Sequence, residues 1–310
     1  MKFNPHLHVK KTMMLPIAMI GGALFYKWMG YLTFLSPYLI FMMLFITYCK
    51  IDFRHFKPGR FEIVLLAVQM ILAGAVYGLL SLFDHTVAEG VFICVFIPTA
   101  TAAPVITSML GGSISKVASF SLVGNLFVAV AGPLVLAAVG DHAEMTFFQS
   151  FCLILSRVLP LLVLPILSAM LLKWLSPGLH RRLLEHQQIS FYMWAFSLFI
   201  IVGGCVSFAI NTWTPQSTLP MIFLALGALA VCLLQFRVGR KVGGAFGDKV
   251  AGGQGLAQKN TVLAVWLALA YMHPIASIAP AAYIAWQNMV NSWQLVRKEK
   301  HVSSYLRRID

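Results

Sequence analysis

Long stretches without a charged side chain constrain the fold of this 310-residue chain more than any other feature. They occupy residues 63–83, 90–115, 117–140, 186–236 and 260–296. A helix needs about 20 apolar residues to cross the hydrocarbon core of a bilayer, so each stretch can supply one or two crossings. Only 11% of the residues are charged, whereas soluble domains have about 25%. We therefore expect an all-α polytopic membrane protein.

Polar turns divide these stretches into ten predicted spans. The polar turn 211–220 divides the longest stretch, and a turn around His273 and Pro274 divides the last one. The predicted spans are 13–29, 32–49, 61–82, 90–110, 117–139, 147–173, 189–210, 218–236, 250–271 and 275–296. An even number of spans places both termini on the same side of the membrane.

The positions of the 23 lysines and arginines predict the orientation. With the N-terminus inside, all but Lys27, Arg157 and Lys259 fall in cytoplasmic segments. The predicted external loops hold Lys27 together with Asp84, Glu89, Asp141 and Glu144. This bias follows the positive-inside rule and predicts a multi-pass protein of the inner (plasma) membrane with both termini cytoplasmic. It also accounts for the net charge of +13 without a nucleic-acid partner.

Two cations, Arg157 and Lys259, lie inside predicted spans. Each is about ten residues from the edge of its span, which at about 1.5 Å per residue is half-way through a core of roughly 30 Å. A charge at that depth needs water or a partner, and no carboxylate is predicted there. Lys259 therefore meets an anion, gives up its proton, or snorkels to the interface. Arg157 either contributes to a substrate pathway or caps a neighbouring helix.

Four further polar residues reach a similar depth: Gln69, Thr101, Asn125 and Asn288. Each one alone is typical of a hydrogen bond between helices. Together with the two cations they predict a polar site near the bilayer centre.

Two predicted spans carry sequences that interrupt a helix. The fourth contains Pro98–Pro104 (PTATAAP), and the ninth begins with Gly252–Asn260 (GGQGLAQKN). Interrupted helices at membrane depth are tolerated where they are buried in protein or line a cavity, and their N-terminal ends suit an anion. The interruptions fall in the fourth member of each half, which predicts inverted five-helix repeats, 13–139 and 147–296, of a secondary transporter. Tails 1–12 and 297–310 would flank the repeats.

At these residues the sequence resembles the bile acid:sodium symporter family, best over 61–110 and 237–293. PTATAAP resembles the family motif Pro-Gly-Gly-Thr-Ala-Ser-Asn, and the stretch from Gln254 to Lys259 resembles Glu-Val-Gly-Met-Gln-Asn. The resemblance implies a panel of spans 1, 2, 6 and 7, and a core of spans 3–5 and 8–10 in which spans 4 and 9 cross. It also implies alternating access of core against panel.

The resemblance assigns roles to individual positions. Thr101, with Ala102 beside it, matches the crossing threonine near the substrate head group. Asn288 matches an asparagine that faces substrate, and Gln287 stands where bacterial members often have histidine. Gln69 and Gln258 match glutamines of the second sodium site. The predicted substrate site is therefore Thr101, Ala102, Gln287, Asn288 and Arg157, and the predicted ion site is Gln69, Asn125, Gln254, Gln258 and Lys259.

Three departures from the family motifs affect the sodium sites. The Ser-Asn pair is Ala103-Pro104 here, the glutamate shared by both sites is Gln254, and the asparagine after Gln258 is Lys259. Hard cations require oxygen ligands and compensating negative charge. Sodium ions next to a lysine would be repelled. We therefore expect the Lys259 ammonium to stand in for a sodium ion.

The predicted function is transport of an organic anion, a bile-acid-like or smaller carboxylate, with coupling to protons through Lys259. Uncoupled transport, sodium coupling through a remodelled site, and a non-transporting sensor are the alternatives. A cation/proton antiporter would need an intramembrane carboxylate, and an enzyme would need a catalytic cluster; the sequence indicates neither. We expect no metal site and no cofactor, with sodium as the open question. The expected partners are the organic anion and the lipid bilayer.

Overall fold

The computed structural model describes Met14 and residues 17–49, 58–100, 102–140, 146–185 and 188–306. Within these ranges every regular element is helical and no strand occurs, so the predicted all-α class is confirmed. The predicted N-terminal tail, Thr101, Asp141 and Glu144 lie outside the described residues. The helices are α1 Tyr26–Leu32, α2 Ser36–Tyr48, α3 Arg60–Leu80, α4 His85–Phe96, α5 Ala103–Leu110, α6 Ile114–Val139, α7 Phe147–Leu175, α8 Pro177–Glu185, α9 Gln188–Thr212, α10 Thr218–Ala245, α11 Lys249–Ala257, α12 Thr261–Tyr271 and α13 Ile278–Leu306.

Six helical segments among the described residues are long and apolar enough to cross a membrane. They are Tyr26–Tyr48, Arg60–Leu80, Ile114–Val139, Phe147–Leu175, Tyr192–Asn211 and Pro215–Ala245. α4 and α12 are apolar but shorter. These segments fit a multi-pass membrane protein.

The shorter helices form the centre of the molecule. Every residue of α4 from Val87 to Phe96 is buried, and so are most residues of α11 and α12. A helix that is apolar on all sides belongs in the interior. The long helices surround this centre and present exposed apolar side chains such as Ile71, Val130 and Leu226.

The first two predicted spans are joined further along the chain than predicted. Instead of a turn at residues 30–31, α1 continues to Leu32 and a 3₁₀ turn, Thr33–Leu35, leads into α2. A single glycine, Gly30, does not end a helix, whereas Pro37 in the first turn of α2 favours a new start.

The N-terminal region packs against α9 and the helix before it. Gly22 packs directly on the Phe199 backbone, and Gly204 packs on the Thr33 side chain further along α9. The Cys49 carbonyl, after α2, then meets His180 Nε2 at 3.0 Å, in the helix that precedes α9. The N-terminal region and the end of α2 therefore pack against α9 and the helix that precedes it.

The interruption of the ninth span lies at the C-terminal end of the predicted stretch, Gly252–Asn260. Gly252, Gly253 and Gly255 were expected to break the helix, but they lie within α11, and the interruption follows at Gln258–Asn260. Gly252 packs against Gly239 and Gly243 of α10 so closely that the three positions have no room for a Cβ. Tertiary packing outweighs the low helix propensity of these glycines.

Two other predicted boundaries differ from the observed ones. α4 begins at His85, so Glu89, expected in an external loop, is a buried residue of the first turns. α13 extends to Leu306, so the predicted tail 297–310 begins inside a helix. The amphipathic helix α8 was not predicted, because two arginines interrupt its apolar pattern.

Candidate functional site

The two interrupted helix pairs meet at one place, here called the crossing point and formed by residues 97–100 and 258–260. Thr99 and Lys259 form an antiparallel bridge there. The Ala100 N–H donates to the Gln258 carbonyl at 2.8 Å, and the Asn260 N–H donates to the Pro98 carbonyl at 3.0 Å. Each break therefore satisfies backbone groups that the other break leaves without a helical partner.

Side chains complete the crossing point. The Thr99 hydroxyl donates to the Gly255 carbonyl at 2.6 Å, and the Ser121 hydroxyl donates to the Thr99 carbonyl at 3.1 Å. The Asn260 carboxamide oxygen accepts from Leu263 N and caps the start of α12. The C-terminal ends of α4 and α11 and the N-terminal ends of α5 and α12 thus converge around one bridge.

The Lys259 side chain is bound at the C-terminal end of α4. Its ammonium donates to the carbonyls of Val95 at 2.8 Å and Ile97 at 3.0 Å, and the residue is 0% exposed. These carbonyls carry the negative end of the α4 dipole, which favours a cation. The lysine therefore does not snorkel to the interface.

Gln69 of α3 binds the same end of α4. Its amide nitrogen donates to the carbonyls of Phe96 at 2.8 Å and Ile97 at 3.0 Å. The Ile97 carbonyl is shared by Gln69 and Lys259, so two residues of the predicted ion site lie together. Within the described part of the chain, the buried Gln69 Oε1 has no hydrogen-bond partner.

α13 holds the end of α11 through two amide side chains. The Lys259 N–H donates to Gln287 Oε1 at 3.0 Å. Asn291 accepts from Gln254 Nε2 at 2.9 Å and donates to Gln258 Oε1. Asn291 therefore bridges two residues of the predicted ion site. Gln254 Oε1 and Gln258 Nε2 are buried and have no partner among the residues that the structure describes.

The other predicted residues have no direct hydrogen bond to the crossing point within the described part of the chain. Asn125 bonds to Ser121 in its own helix and reaches the crossing point through that residue. Asn288 donates to Ile284 of its own helix at 2.8 Å and is half-buried, as is Ala102 at the start of α5. Thr101 and the Arg157 side chain lie outside the described part of the chain.

Several residues of this site were not anticipated from the sequence. They include Asn291, Thr99, and a buried pair in which Gln235 Nε2 donates to the Tyr283 hydroxyl, which donates to the Ala257 carbonyl at 2.8 Å. Gln287, Asn291 and Gln294 are spaced by four and three residues, so the polar face of α13 was visible in the sequence.

A second buried polar contact lies away from the crossing point. Glu89 Oε2 accepts from the His273 N–H at 3.1 Å, and Glu89 Oε1 is 3.9 Å from His85 Nδ1. This contact joins α4 to the turn between α12 and α13. Among the described residues, no group of three histidine, cysteine or acidic side chains could hold a metal ion.

No protein-family model matches the chain, and no curated protein matches it as a relative. The likeness to the bile acid:sodium symporters therefore remains a prediction from the motifs quoted above.

Proposed function

We propose that the protein is a secondary-active transporter of an organic anion, in which the Lys259 ammonium takes the place of a coupling cation. The observation that carries this proposal is the binding of a fully buried ammonium by backbone carbonyls where two interrupted helices cross. Paired interrupted helices that meet at membrane depth are typical of secondary transporters.

The helix arrangement supports ten crossings in two inverted repeats. The first two would be the N-terminal region to Thr33 and α2, since Thr33 packs on Gly204 in the second half of α9, whereas Cys49 meets His180 in the helix before α9. α4 with α5, and α11 with α12, would then form the fourth and ninth crossings. Each pair spans the membrane as two half-helices, which explains why neither member reaches the length of a full span.

The replacement of a cation by Lys259 is supported by the chemistry around it. Val95 and Ile97 supply oxygen ligands of the kind that a hard cation takes, and the ammonium occupies them. The family glutamate is Gln254, so no carboxylate at that position adds a negative charge. With a lysine and neutral amides at this place, there is no negative charge for a sodium ion to compensate.

The substrate is proposed to be a carboxylate that approaches the crossing point from the side of Ala102 and Asn288, with Thr101 and Arg157 as the contributors that the sequence predicts. The N-terminal ends of α5 and α12 would favour a negative group there. Reversible loss of the Lys259 proton would couple transport to protons.

Uptake into proteoliposomes tests this function. Uptake of a panel of radiolabelled organic acids is measured for wild type, Lys259→Ala and the exposed-lysine control Lys249→Ala. Each protein is tested under an imposed proton gradient, under an imposed sodium gradient, and with neither gradient. We expect the proton gradient to drive uptake by wild type and Lys249→Ala, and we expect Lys259→Ala to lose this uptake. Uptake driven by sodium, or uptake that is unaffected in Lys259→Ala, would contradict the proposed role of the lysine.

Sodium coupling through a remodelled site is a second candidate. No described residue donates a hydrogen bond to the buried oxygens Gln69 Oε1, Asn125 Oδ1 and Gln254 Oε1, and amide oxygens can bind a hard cation. The sodium-gradient arm of the same experiment distinguishes this candidate from the first.

A further inference from the structure

A cavity of about 420 Å³ lies at the end of the molecule where α5 finishes and α11 begins. Arg240 of α10 and Arg297 and Lys298 of α13 line it. Val250, also in its wall, is about 13 Å along α11 from Lys259 by helical rise. This basic cavity is therefore separate from the crossing point.

The three cations are held in place by contacts that leave donors available. Arg240 Nη2 donates to Gln294 Oε1 at 3.1 Å, and the Arg297 guanidinium lies over the Trp293 ring, 5.3 Å from its centroid. Lys298 Nζ donates to the Met109 carbonyl at 2.9 Å. A guanidinium has five N–H groups and an ammonium has three, so each cation retains donors for an anion.

The position of Lys298 depends on a glycine. Gly111, just after α5, has a φ of +84°, and a Cβ at this position would lie 3.0 Å from Lys298 Nζ. Glycine meets both the backbone conformation and the close approach. No acidic side chain is among the described residues that line the cavity.

The remaining wall of the cavity is apolar and faces outward. Leu110 and Val250 contribute to it, and Trp293 is 58% exposed. Met289 and Val296 are exposed on the same helix. Basic pockets beside transmembrane helices bind phosphate head groups of lipids, and tryptophan favours the membrane interface.

We propose that the basic cavity is a binding site for a phosphate group, carried by an anionic phospholipid or by a free phosphate compound. Arg240, Arg297 and Lys298 would donate to the phosphate oxygens. Lys298 would bind the phosphate with the donors that its bond to the Met109 carbonyl leaves available. This site is independent of the transported substrate.

Thermal unfolding in nanodiscs tests the proposal. One arm compares phosphatidylcholine alone with phosphatidylcholine containing increasing phosphatidylglycerol. A second arm adds inorganic phosphate at constant ionic strength to the phosphatidylcholine discs. Both arms use wild type, Arg297→Gln, the double variant Arg297→Gln with Lys298→Gln, and the control Arg237→Gln, an exposed arginine of α10 outside the cavity.

For wild type, we expect the unfolding temperature to rise with phosphatidylglycerol if the site binds a phospholipid, and with inorganic phosphate if it binds a free phosphate compound. The half-saturating concentration should be roughly tenfold higher in Arg297→Gln, as expected for loss of one charge-assisted hydrogen bond. The double variant should lose the response, and Arg237→Gln should keep it. No response in either arm, or the same response in the double variant as in wild type, would overturn the proposal.

Discussion

At the scale of single residues, the sequence predicted a functional role for Lys259 but not for Asn291. Lys259 was predicted as an ion-site residue from its depth in a predicted span and its place in the motif, because a lysine in an apolar stretch is conspicuous. Its partners were not predictable, since the carbonyls of Val95 and Ile97 become available only where α4 ends. Asn291 was missed because its spacing from Gln287 indicates only a polar face of α13, and its partners on α11 become apparent only when the two helices pack.

The Lys259 contacts predict a loss of stability on substitution. Lys259→Met should lower the free energy of unfolding by about 1–3 kcal/mol, since the carbonyls of Val95 and Ile97 lose a donor. Lys249→Met, at the exposed start of α11, should have little effect. Unfolding in detergent followed by fluorescence measures both. Equal stability of Lys259→Met and wild type would contradict the assigned contacts.

Asn291 and Asn288 form a matched pair on α13. Asn291→Leu removes hydrogen bonds to Gln254 and Gln258 and should cost about 1–3 kcal/mol. Asn288→Leu removes a bond within its own helix and should cost clearly less. The same unfolding assay compares them. A larger loss for Asn288→Leu would show that the α11–α13 contact is not made by Asn291.

At the scale of helices, the prolines predicted the interruption of the fourth span correctly, whereas the glycines misled the prediction for the ninth. Pro98 removes a backbone donor, which no packing restores. A glycine only lowers helix propensity, and the close approach of Gly252 to Gly239 outweighs that effect. The packing of α10 against α11 cannot be inferred from the sequence of α11 alone. The exact position of the break therefore could not be predicted from that sequence.

The contact between α10 and α11 predicts opposite effects at two glycines. Gly252→Ala should destabilise the protein by about 1–3 kcal/mol, because its Cβ would overlap the α10 backbone. Gly74→Ala in α3 meets no atom within 4 Å and should stabilise by about 0.5–1 kcal/mol through helix propensity. Unfolding temperatures of the two variants test this. Stabilisation by Gly252→Ala would contradict the packing.

At the scale of the whole molecule, composition and charge-free stretches were sufficient for the all-α membrane class. They were less informative about the number of crossings, because short helices such as α5 fall below the length of a span. The proposed reversal after α1 also depends on contacts with α9 that no local sequence pattern predicts.

The proposed reversal after α1 can be tested by labelling. Phe34, 63% exposed in the turn before α2, would lie at the external surface, whereas in a single span, Tyr26–Tyr48, it would lie in the hydrocarbon core. In intact cells, an impermeant thiol reagent should label Phe34→Cys and Trp213→Cys, and should label Leu179→Cys only after permeabilisation. Protection of Phe34→Cys under all conditions would favour the single span.

The sodium dependence of stability tests the central claim, that Lys259 replaces a coupling cation, and it requires no knowledge of the substrate. Unfolding temperatures are compared in sodium and potassium chloride at equal ionic strength, for wild type and for the double variant Gln254→Glu with Lys259→Asn. A ligand at about 100 times its Kd stabilises a protein by about 2.7 kcal/mol, which such a comparison detects. We predict no difference between the salts for wild type and stabilisation by sodium in the double variant. Stabilisation of wild type by sodium would contradict the account.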